Sequence, residues 1–204
     1  TCPVGIDTGS LTKKLRAAQI GSFGHSVAGF MANNYGGILK TGSVALSLVK
    51  GVNAIIPSSV MRGMSEGLRS LTANKLPLWS TSLPSGYSFN PTLKNTGSQD
   101  KVVYFSSCIN RTMANPKEKN GEKPLDLVII GILEKAGYNV VIPSNVGALC
   151  CGMPFSSKGY TKEGKQKSDE LEKALREASE NGKYPILCDM SPCSKTMAAN
   201  FSPD

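Results

Sequence analysis

The chemistry this chain can do is concentrated in six cysteines: Cys2, Cys108, Cys150, Cys151, Cys188 and Cys193. Deprotonated thiols ligate soft metals, hold iron–sulfur clusters or cycle through disulfides. Four of the six fall in three short motifs, Ser107-Cys-Ile-Asn-Arg111, Leu149-Cys-Cys-Gly-Met-Pro154 and Asp189-Met-Ser-Pro-Cys193. Paired cysteines followed by glycine are an unusual choice for core packing. Cys108, Cys150, Cys151 and Cys193 therefore read as one shared metal or thiol site. Adjacent cysteines do not readily pair with each other, because disulfide geometry is narrow. No stretch near Thr1 reads as a secretory signal, so reduced thiols are expected. Cys188 reads first as a packed strand residue and second as a substitute ligand. Arg111 offsets thiolate charge, binds an acidic partner or simply lies on the surface, and Ser106, Ser107 and Ser191 either donate to sulfur or end strands. His25, the only histidine, has no carboxylate or cysteine beside it in sequence and reads as a packed or capping residue. Asp189 has no assignable acid–base role.

The elements that must position these residues fall into two regions with a connector between them. Residues 8–75 read as a helical spacer: Asp7 or Thr8 caps a first helix, and Leu11, Leu15 and Ala18 share one face. Glycine-broken apolar stretches follow, then a helix behind Pro57. Residues 76–100, rich in Pro, Gly, Ser, Thr and Asn, read as a linker and not as a packed element. From Lys101 to Asp204 the pattern is α/β. Val102–Phe105, Tyr138–Ile142 and Tyr184–Cys188 read as strands. A helix from Pro124 to about Ala136, an amphipathic helix over 165–179 and a closing helix alternate with them. The run Leu127–Leu133 reads as a buried core element. Such alternation predicts a parallel sheet flanked by helices, preceded by an all-helical segment. The cysteine motifs then sit at the carboxyl ends of strands, where open parallel sheets form their sites. Helix N-termini behind Cys108 and Cys193 would lower both thiol pKa values, and Gly152 would admit close backbone approach.

Composition narrows the function classes. With 204 residues, 40% hydrophobic and 19% charged, the chain is neither disordered nor fibrous. No apolar run approaches the ~20 residues that cross a bilayer. Net charge is +8, but the basic residues are scattered and no aromatics interleave with them. A solvated charged face is expected and no nucleic-acid partner, with weak attraction to an acidic membrane surface left open.

On these motifs the chain resembles the cysteine-rich CCG domain found in subunits of heterodisulfide reductase, glycolate oxidase and anaerobic glycerol-3-phosphate dehydrogenase. Thr1-Cys-Pro-Val-Gly-Ile-Asp7 is similar to the end of a bacterial ferredoxin motif, whose last cysteine precedes proline. The order ferredoxin tail (1–7), helical spacer (8–75), linker (76–100) and CCG domain (101–204, the first of an expected two) looks most like part of an FAD-linked D-lactate (2-hydroxyacid) dehydrogenase. The resemblance implies a piece of a longer protein. Its FAD lies in an N-terminal domain outside this chain, and Cys2 is a [4Fe–4S] ligand in the parent. Electrons pass from flavin through iron–sulfur centres to a quinone or cytochrome. It also implies a cytoplasmic location, peripheral on the cytoplasmic face of the inner membrane, and no turnover by this chain alone. The sequence departs from the family at Thr196, where a second cysteine of a Cys-x-x-Cys element is expected. A [4Fe–4S] cluster, a zinc site, a metal-free thiol group and a redox disulfide all remain readings of the CCG cysteines. A scaffold module without electron transfer is the alternative function.

Overall fold

The computed structural model describes residues 7–72, 80, 84–114 and 123–202. Four helices come first: α1 (Thr8–Ala18), α2 (Ser22–Asn33), α3 (Tyr35–Ile55) and α4 (Ser58–Leu71). Asp7 caps α1, its carboxylate accepting from the Ser10 N–H at 3.0 Å. The short strand β1 (Ser85–Gly86) follows, then β2 (Lys101–Phe105), β3 (Met113–Ala114), α5 (Leu125–Lys135), β4 (Asn139–Val141), α6 (Met153–Ser156), α7 (Thr161–Ala178), β5 (Ile186–Cys188) and α8 (Ser191–Asn200). No helix among the described residues is long and apolar enough to cross a membrane.

The expected α/β architecture is present. β2 lies between β4 and β5, and both pairings are parallel, with Val103 opposite Val141 on one side and Ile186 on the other. Both faces of β2 are covered, which is why Val102-Val103-Tyr104-Phe105 is apolar throughout and does not alternate. Val103 and Phe105 pack with Leu171 and Leu175 of α7 and Met197 of α8. Val102 and Tyr104 pack with Ile130 of α5 and Val140 of β4. The chain thus winds to one face after β2 and to the other after β4. Its order reverses beside the carboxyl end of β2, the place where such sheets leave a crevice.

Three expectations need correction. The run Leu127–Leu133 is not a buried element: it forms most of α5, with Ile130 in the core while Val128 and Ile132 face outward. An 11-residue helix on one face of a sheet has room to bury only one stripe. Part of the proline-rich connector is packed. β1 pairs antiparallel with β3, and the Ser43 hydroxyl of α3 donates to the Tyr87 carbonyl at 2.6 Å. A Cβ on Gly86 would stand 2.7 Å from the Ser43 carbonyl carbon, so only glycine lets the strand lie this close to α3. Finally, no helix starts at Cys108. Residues 108–112 form turns, because Thr112 Oγ donates back to the Cys108 carbonyl at 2.5 Å and the chain must swing into β3.

Candidate thiol and metal site

Three loops at the carboxyl edge of the sheet deliver the cysteines. Cys108 follows β2, Cys150 and Cys151 follow a single 3-10 turn (Val146–Ala148) after β4, and Cys193 lies in the first turn of α8. Cys188 ends β5. All five are free thiols, and all but half-buried Cys188 are buried. Cys2 lies outside the described residues.

Side-chain contacts join the thiols into a continuous row. Cys108 meets Cys150, Cys150 meets Cys151, and Cys193 meets both Cys151 and Cys188. The Cys151 and Cys193 sulfurs are 3.3 Å apart. The row straddles two packing clusters, Cys151 and Cys193 in the core under α7 and α8, Cys108 and Cys150 in a cluster with Ala28, Ala32, Tyr35 and Phe155.

Gly152 explains the last letter of the Cys-Cys-Gly motif. Its φ is +83°, and a Cβ there would lie 2.9 Å from the Gly164 carbonyl carbon of α7. The conformation aims the Gly152 N–H at the Cys150 sulfur, 3.4 Å away. Asp189 aligns the loops. Its carboxylate accepts from the Ser107 N–H at 2.8 Å, from the Tyr104 hydroxyl at 3.0 Å and from the Ser106 hydroxyl at 3.3 Å, tying the end of β2 to the end of β5. Ser106 and Ser107 therefore serve Asp189 and do not donate to sulfur. Arg111 is not a surface residue. Only 3% exposed, it donates to the Ser106 carbonyl at 2.6 Å and to the Leu149 carbonyl, and it stacks on the Phe105 ring at 5.6 Å.

Sequence reasoning missed Tyr35. It comes from α3, far upstream, and its buried hydroxyl hydrogen-bonds with both Cys108 and Cys150. Its ring packs on Phe155, with the Lys167 ammonium 5.4 Å from its centre. The Asn33-Asn34 break before Tyr35 fixes where α3 starts, but nothing in the spacing marks Tyr35 as part of the site. His25 is half-exposed, and it has a carboxylate partner that the sequence did not show. Its Nδ1 lies 3.0 Å from Glu163 of α7, a residue distant in sequence.

Charge along the row is uneven. Cys151 is the thiolate of the set: contacts with Cys150 and then Cys193 hold its pKa down to about 3. Cys193 holds its proton, pushed up by Cys151 and Cys188 and by burial. Cys108 is likewise pushed up, first by Cys150 and then by burial, so the expected lowering at Cys108 and Cys193 is reversed. For Cys108 the helix is missing. For Cys193 the α8 N-terminus is present, but adjacent thiols cannot all carry charge. Contact with Cys193 lowers Cys188 to about 7 against the opposing effect of burial.

Donor chemistry and spacing give different answers about a metal. Buried thiols from three loops, beside a backbone N–H donor and a guanidinium, suit a soft metal or an iron–sulfur cluster. Yet Cys151 and Cys193 stand in direct contact. Among the described residues, no three Cys, His, Asp or Glu side chains are grouped so as to hold a metal ion.

Residues 102–198 match the family of the CCG cysteine-rich domain. The match runs from β2 into α8, so it contains all three cysteine loops of the CCG segment and leaves α1–α4 and Tyr35 outside it. No curated protein matches the chain, and no solved structure does. The match is thus to a cysteine-rich domain of the kind found in iron–sulfur subunits of FAD-linked lactate and glycolate dehydrogenases, and it covers just under half of the chain.

Proposed function

We propose that this chain is the iron–sulfur electron-transfer portion of an FAD-linked D-lactate or related 2-hydroxyacid dehydrogenase, acting between a flavin held outside this chain and a quinone or cytochrome acceptor. The observation that carries the reading is the convergence of Cys108, Cys150, Cys151, Cys193 and Cys188 at the switch point of the sheet. These are the residues that would hold a cluster, with Cys2 assigned to a separate ferredoxin-type centre. A cluster would supply one-electron steps between the flavin and the acceptor. The chain's own residues prepare the seat. Burial excludes water, the Gly152 N–H faces sulfur, and the Arg111 guanidinium offsets negative charge on the thiolates. The five described cysteines are free thiols, which supports a reducing, cytoplasmic-side location.

The test is iron, zinc and acid-labile sulfide per chain, with a visible spectrum, on anaerobically prepared protein and on a Cys150→Ala, Cys193→Ala double variant. Iron and sulfide that vanish in the double variant support the reading. Iron and sulfide unchanged in that variant, or absent from the unaltered protein, overturn the seat proposed for the cluster. The 3.3 Å contact between Cys151 and Cys193 favours a second reading, a metal-free thiol module. Loss of two thiols per chain on mild oxidation of iron-free, zinc-free protein would decide for it.

A further inference from the structure

A cleft of about 330 Å³ opens between α3, the β1 segment and the 3-10 turn that leads to Cys150. Leu39, Val44, Phe89 and Val146 supply apolar walls, and Lys40 and Arg111 supply the only charges lining it among the described residues. No carboxylate lines the cleft among the described residues. Its size falls at the small end of the range for organic ligands, about 300–1,000 Å³.

Arg111 sets the chemistry. Its guanidinium is buried and always charged, yet its hydrogen bonds go to two neutral carbonyls, and its Nε has no partner. No carboxylate stands in ion-pair contact with it among the described residues, although burying an unpaired charge is costly. Lys40 adds a second positive charge at the exposed rim. Two cations with apolar walls select a molecule that has an anionic end and a small hydrophobic body.

We propose that this cleft binds a small apolar carboxylate, its charged end matched to Arg111 and Lys40. No described cysteine lines the cleft, although it shares Arg111 with the seat of the thiol row. Arg111 also grips the Leu149 carbonyl beside Cys150, and Thr112, another lining residue, grips the Cys108 carbonyl. Occupancy of the cleft therefore bears on two of the three cysteine loops.

The test uses benzoate as probe and benzyl alcohol as its uncharged counterpart, titrated into the protein and followed by amide NMR. Benzoate should give saturable shifts centred on residues 39–44, 87–89, 111–112 and 146–147. Benzyl alcohol should bind roughly tenfold or more weakly, the loss expected for one charge-assisted contact. Gly147→Leu should abolish the shifts. A Cβ at that position meets nothing within 4 Å, so the added side chain fills the cleft without disturbing the backbone. Lys40→Glu should weaken benzoate and leave benzyl alcohol unaffected. Absence of benzoate shifts, equal affinity for the two probes, or benzoate binding that survives Gly147→Leu overturns the proposal. Iron content plays no part in the readout, so failure here and failure of the cluster reading are separate outcomes.

Discussion

Replacing Gly152 by alanine tests why the paired cysteines are followed by glycine. Two costs add. At φ +83° a side chain enters the left-handed region, worth about 1–2 kcal/mol. The new Cβ would also press on the Gly164 carbonyl, which is backbone of α7 and cannot rotate away; forced overpacking of this kind costs about 1–3 kcal/mol. The sum is about 2–5 kcal/mol. For a chain of this length each kcal/mol lowers Tm by about 2–4 °C, so Gly152→Ala should melt about 4–20 °C below the unaltered protein. Circular dichroism melting measures this directly. Gly131→Ala is the control. It lies inside α5 with open space around its Cβ, and removing a helix-interior glycine should stabilise by about 0.5–1 kcal/mol. A second readout is local. Because the Gly152 N–H faces the Cys150 sulfur, Cys150 and Cys151 should be alkylated faster in the variant under native conditions. A Gly152→Ala protein that melts within about 2 °C of its parent, with unchanged labelling, would refute the account of the motif.

Other perturbations follow from the same contacts. Half-buried Cys188, lowered to about 7, should be the first thiol alkylated in metal-free protein. Its rate should climb as pH rises through about 7, since the thiolate is the nucleophile, and peptide mass spectrometry of a pH series would show it. His25→Ala strips the buried Glu163 carboxylate of its partner when its other oxygen already has none. About 1–3 kcal/mol should be lost, read as a lower urea midpoint. Tyr35→Phe removes only the hydroxyl that meets Cys108 and Cys150 while keeping the ring on Phe155. Stability should fall by about 1 kcal/mol with the fold intact by circular dichroism, whereas Tyr35→Ala should cost about 3–5 kcal/mol through the cavity it leaves.

The sheet and its cysteine loops were legible because local chemistry and global fold agree there. Val102–Phe105 is too uniformly apolar for a one-faced strand. Pro143, Gly152 and Pro192 punctuate the segments that carry the thiols, and the spacing of Leu171 and Leu175 announces the face of α7. The turn at Cys108 was not legible, because it is decided by pairing between β1 and β3, two short strands whose partners lie far apart in sequence. The charge on the thiols was not legible either. A helix N-terminus can be read from Ser191-Pro192, but which sulfur keeps its proton depends on contacts among loops. Tyr35 and the His25–Glu163 pair share that origin. Each is supplied by the helical spacer to the α/β part, and amphipathic periodicity says which face of a helix is apolar without saying what covers it.

The row of thiols also has a timetable. Its members and Tyr35 come from widely separated stretches of chain, from Tyr35 in α3 to Cys193 in α8. Translation proceeds at roughly 5–20 residues per second, so roughly eight to thirty seconds pass between the emergence of Tyr35 and that of Cys193. During that interval Cys108, Cys150 and Cys151 lack the α8 thiol that completes the row. Oxidants and stray metal ions meet them first as separate groups on an unfinished chain. The order of synthesis therefore makes α8 the closing step of site assembly, and a nascent chain that stalls before Ser191 carries thiols with no finished site to protect them.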